Sequence, residues 1–118
     1  METFQRYESS PDRELLGNII NNESDTIANL FEGTPETRYV TAAVEAASNT
    51  ISNMSNDEIN KSIEVLGAVP FVRAQIVEAL GRSVPSLEVF DRLDQRLSAS
   101  YRSVPDGVWI NARASIKS

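Results

Sequence analysis

The chain contains no cysteine and no histidine. Without thiols, it has no disulfides, no thiolate nucleophiles and no thiolate metal sites. Without imidazole, it lacks the usual general base, the usual zinc ligand and the usual switch near neutral pH. Amines are almost as scarce, for Lys61 and Lys117 are the only lysines, and the second sits one residue from the end. The remaining carboxylates can support paired-acid hydrolysis or magnesium binding, but no recognisable catalytic or cofactor motif frames them. The expectation is a protein that is not an enzyme and holds no cofactor or metal. Long apolar runs are absent too. The longest, Val65 to Val72, is interrupted by Gly67 and Pro70, far short of the roughly 20 residues a membrane helix needs. Met1 to Ser10 is polar, with no basic segment leading into an apolar run, so no secretory signal is expected. The expected location is the cytoplasm, or a viral particle if the chain is an assembly component.

What is present is the composition of one folded domain. The 118 residues are 41% hydrophobic and 24% charged, values of a globular chain rather than a disordered one. The net charge of −6 is unevenly spread. Residues 1–72 hold twelve acids and four bases, whereas residues 73–118 hold five acids and seven bases. Such a polarity lets molecules associate head to tail; the alternative is ordinary scatter of charge over solvated helix faces.

Apolar spacing and start signals predict about five short helices in a compact bundle spanning residues 1–103. Ser9-Ser10-Pro11-Asp12-Arg13-Glu14 reads as a helix start. Leu15, Leu16, Ile19, Ile20, Ile27, Leu30 and Phe31 follow at helical spacing, and the Asn21-Asn22 pair leaves open one bent helix or two. Thr34-Pro35-Glu36 repeats the signal ahead of the stripe Val40, Val44, Ala47, Ile51 and Met54, where Ala42, Ala43 and Ala46 keep the helix slim. Ser55-Asn56-Asp57-Glu58 matches a capping box before Ile59, Ile63 and Leu66. Pro70 opens a helix with Val72, Ile76, Val77 and Leu80 inward and Gly81 as its stop. Ser83 to Ser86 starts a last helix lined by Leu87, Phe90, Leu93, Leu97 and Tyr101.

Residues 104–118 differ from this body. After Val104-Pro105-Asp106-Gly107, Ile110, Ala112, Ala114 and Ile116 alternate with Asn111, Arg113, Ser115 and Lys117. That is the period-2 pattern of a strand, and it predicts an extended C-terminal arm. Trp109, Ala112 and Ile116 also fit helical spacing, so a sixth short helix is the competing expectation. Trp109 is the sole tryptophan, a residue type that fills interface pockets while its N–H still needs a partner. With Val108 and Ile110 it forms an apolar anchor that either folds back to plug one end of the bundle or inserts into another subunit or partner.

These features predict a protein-protein interaction or assembly subunit that self-associates or docks into a larger complex. Its architecture is of a kind found among virion head-to-tail adaptors and other assembly subunits, an analogy of form alone. Trp109, Ile110 and Ile116 are the expected apolar anchors, with Arg113 and Lys117 meeting an acidic surface. A second reading is a small regulator that binds nucleic acid through residues 85–118, using Arg92, Arg96 and Arg102. Against it, Glu88, Asp91 and Asp94 lie among those arginines and repel phosphates. The connector Gly81 to Pro85 is also longer than the three or four residues, roughly, of a helix-turn-helix. A third reading makes the acidic N-terminal half an inhibitor of a nucleic-acid-binding partner.

Overall fold

The computed structural model describes residues 13–116, so the Ser9–Asp12 start signal and Lys117 lie outside the described residues. Among the described residues the regular elements are six α-helices: α1 Arg13–Leu30, α2 Thr37–Asn53, α3 Asn56–Leu66, α4 Ala68–Ser83, α5 Leu87–Leu97 and α6 Asp106–Ala114. The all-helical bundle expected from periodicity is what the chain forms.

α4 is the centre. It buries Phe71, Val72, Ala74, Ile76, Val77, Ala79, Leu80 and Gly81, residues that cover almost its whole circumference, and a helix apolar all round has to be surrounded. α1, α2, α3 and α6 all pack on it, α2 most extensively. Fully buried Ala43 and Ala47 on α2, with Ala74 and Ala79 on α4, carry no bulk beyond Cβ and let the two backbones come close. α5 joins the core through Val89, Phe90, Leu93 and Leu97.

The helix ends follow local rules. α1 passes unbroken through Asn21-Asn22 and ends before Gly33, whose φ of 80° is one that L side chains rarely adopt. The hydroxyls of Thr34 and Thr37 both donate to the Phe31 carbonyl, at 2.8 and 2.7 Å, closing that turn. The capping box at Ser55 and Glu58 forms as expected. Gly67, at φ 94°, ends α3 and begins α4: its N–H donates to Ile63 O, and its carbonyl accepts from Phe71 N. Arg13 ties α1 to the α2–α3 corner, donating to Ile51 O, Met54 O and Asn56 Oδ1.

Two expectations need correction. Gly81 does not stop α4, which runs on to Ser83. The C-terminal segment is not an extended arm, because residues 106–114 form α6. Alternation would put Ile110 and Ala112 on one face, yet Ile110 is 65% exposed and Ala112 only 3%. The helical set wins because Val108, Trp109, Ala112 and Ile116 can all lean on the bundle, whereas a lone strand would have left its backbone unpaired. The contact is close at Gly81, where a Cβ would stand 2.5 Å from the Ala112 carbonyl oxygen. Gly81 is therefore a seat for α6 rather than a stop.

Candidate docking groove

Where α6 leaves the end of α5, the surface opens into a groove of about 460 Å³, lined by Asp94, Ser98, Tyr101, Arg102, Val104, Asp106, Trp109 and Ile110. Its floor is Tyr101, buried with Val104 at the turn between the helices. That turn is clamped from behind. Arg73 on α4 donates to Ser100 O at 2.9 Å and to Glu23 Oε2 on α1 at 3.1 Å, and its guanidinium lies 5.1 Å from the Tyr101 ring centroid. Glu23 is only 5% exposed, the one buried charged residue among those described.

The clamp is a buried charge pair, so its geometry matters more than its presence. Neither Glu23 Oε1 nor the Tyr101 hydroxyl completes a hydrogen bond of regular geometry. Burial first, and then the neighbouring Glu23 carboxylate, push the Tyr101 hydroxyl far above its ordinary pKa. Burial thus keeps the Tyr101 phenol in its neutral form.

The wall on the α6 side is Trp109, half-buried, its ring meeting Phe90 edge-on at a centroid distance of 6.2 Å. Arg113, one helical turn beyond, pairs with Asp91 on α5 at 3.2 Å and so braces α6 against that helix. Ile110 stands proud at the rim. The charged lining is mixed, with Asp94 and Asp106 against Arg102. Asp94 has its pKa raised, chiefly by burial and then by the charge of Asp91, with Arg113 pulling the other way. An apolar floor with more carboxylates than cations suits an apolar group that brings a positive charge with it.

The sequence-predicted contact residues separate into three fates. Trp109 and Ile110 line the groove. Ile116 is half-buried against the core, and Arg113 is taken by Asp91. Among the three arginines of the nucleic-acid reading, Arg92 pairs with Glu36 and Glu88, while Arg96 donates to Leu30 O and lies over Phe31. Neither Arg96 nor Arg102 makes an ion pair among the described residues, and of the three only Arg102 lines the groove. The uneven charge along the sequence is partly neutralised by folding, since Glu23–Arg73 and Glu36–Arg92 join the acidic half to the basic half.

Sequence reasoning missed Glu23, Arg73, Asp94 and Asp106. Glu23 had a visible signal: it sits four residues from both Ile19 and Ile27, on the apolar stripe of α1, where a charge needs a partner. Arg73, Asp94 and Asp106 had none, because their meeting depends on how α4, α5 and α6 pack. No protein-family model, curated protein or solved structure matches the chain.

Proposed function

We propose that the protein is a non-enzymatic interaction subunit that docks a protein segment in the groove between α5 and α6. The observation that carries this reading is the exposed Ile110 beside an open, aromatic-walled groove whose floor is clamped by Arg73. A preformed site costs less ordering on binding, which is how small interfaces reach useful affinity. Its acidic lining favours segments that set an apolar residue next to lysine or arginine. The non-enzymatic part of the reading is supported by composition, since the chain has no thiol and no imidazole.

Trp109 is the only tryptophan and lines the groove, so its emission reports occupancy directly. A peptide array probed with the full chain should retain apolar–basic segments, and those peptides should shift Trp109 emission in solution. Ile110→Asp, at an exposed position, should abolish the shift while leaving the circular dichroism unchanged. An array retaining the same peptides for both proteins would sink the reading.

A further inference from the structure

The described surface carries a second apolar feature, opposite in shape to the groove. At the corner where α3 meets α4, Val65 is 82% exposed and Val69 37% exposed. Gly67 makes the turn of this corner, its N–H donating to Ile63 O and its carbonyl accepting from Phe71 N, and Val65 projects from it as a knob. Lys61 lies one turn before Val65 on the same face of α3, exposed and without an ion pair among the described residues, and Glu64 stands beside it, likewise exposed. The corner therefore presents an apolar side chain flanked by one cation and one anion.

The groove has the matching set: Tyr101, Trp109 and Ile110 for the apolar side chain, Asp94 and Asp106 for a cation, and Arg102 for an anion. Knob and groove share no residue, so the knob of one molecule is available to the groove of another. We propose that the occupant of the groove is a second copy of this chain, whose Val65–Val69 corner enters with Lys61 toward Asp94 and Asp106 and Glu64 toward Arg102. This rests on the docking reading above and names its partner. Because the two surfaces differ, the contact is head to tail, and each added copy leaves one knob and one groove open. A corner this small belongs at the weak end of interfaces, below about 1,200 Å² in total, so association should appear only at high protein concentration.

Sedimentation of the full chain from micromolar to millimolar concentration should give a mass that climbs past two copies. Val65→Asp and Ile110→Asp, both at exposed positions, should each remain at the 13.0 kDa of one chain. Mixed in equal amounts, they should recover a discrete dimer and nothing larger, since one intact groove then meets one intact knob. Lys61→Glu should weaken association by about tenfold. A parent chain that stays monomeric throughout overturns the proposal, as does a Val65→Asp protein that still associates or a mixture that stays monomeric. If the parent is monomeric while basic–apolar peptides still shift Trp109 emission, the second-copy inference alone is lost. If neither occurs, the docking function falls with it.

Discussion

Replacing Gly81 with alanine sets two effects of opposite sign against each other. Gly81 lies within α4, and the positive φ values belong to Gly33 and Gly67. Alanine would on its own stabilise such a helix by about 1 kcal/mol. The new Cβ, however, would sit 2.5 Å from Ala112 O, 2.9 Å from Ser115 Oγ and 3.0 Å from Ala112 C. Two of those three atoms are α6 backbone, which cannot swing aside as the tip of a side chain can. Overpacking costs about 1–3 kcal/mol, and a backbone obstacle places this case near 3, leaving a net loss of about 2 kcal/mol. In a domain of this size that lowers Tm by roughly 8 °C. Urea denaturation followed by circular dichroism gives the stability. Native Trp109 emission gives the position of α6, and it should move to the red as the helix is pushed off Phe90. Gly17 supplies the control: it is also helical, but a Cβ there meets nothing within 4 Å, so Gly17→Ala should stabilise by about 1 kcal/mol. A Gly81→Ala protein as stable as its parent, with unchanged emission, would refute the seating of α6 on this glycine.

The clamp behind the groove gives a second prediction. Glu23→Ala should cost about 2–3 kcal/mol, less than the roughly 3–5 of a fully buried pair because Arg73 still reaches water. Replacing both Glu23 and Arg73 with methionine should recover most of that loss in the same denaturation assay. Tyr101→Phe removes a buried hydroxyl that faces the Glu23 carboxylate without completing a hydrogen bond of regular geometry. It should therefore cost less than the roughly 1 kcal/mol of an ordinary hydrogen bond. Acid titration should expose the α3 cap. Glu58 accepts from the Ser55 N–H, and bonding to Ser55 holds its carboxyl below the ordinary 4.5. A depressed folded pKa means that the contribution is complete above the unfolded value and is lost as pH falls through the folded one. Glu58→Gln, which can accept the same bond without titrating, should therefore lose less stability than its parent on acidification below 4.5.

The parts of the fold that could be read in the sequence are those set by neighbours in the chain. The capping box at Ser55 and Glu58 and the α2 stripe from Val40 to Ile51 need only local spacing, and both are realised. The C-terminal segment misled because alternation and helical spacing coexist in it. What decides between them is Gly81, some thirty residues earlier, whose missing side chain makes room for Ala112. The candidate site was half legible. Trp109 and Ile110 stand out as large apolar residues after a Pro-Asp-Gly turn, but Tyr101 as floor and Asp94 as wall appear only when α5, its following turn and α6 close on each other. The arginines were the least legible. Nothing in the spacing of Arg92 and Arg96 shows that Glu36 and the Leu30 carbonyl, 56 and 66 residues away, will claim them.

The link from Glu23 to Arg73 to Ser100 spans the chain, with its first two members 50 residues apart and the last 27 further on. The shape of the groove is therefore set by the whole molecule and not by the C-terminal segment alone. A fragment lacking α1 would keep every residue that lines the groove and lose the carboxylate that fixes its floor. The same link makes a residue of the first helix a determinant of a surface built by α5, α6 and the turn between them.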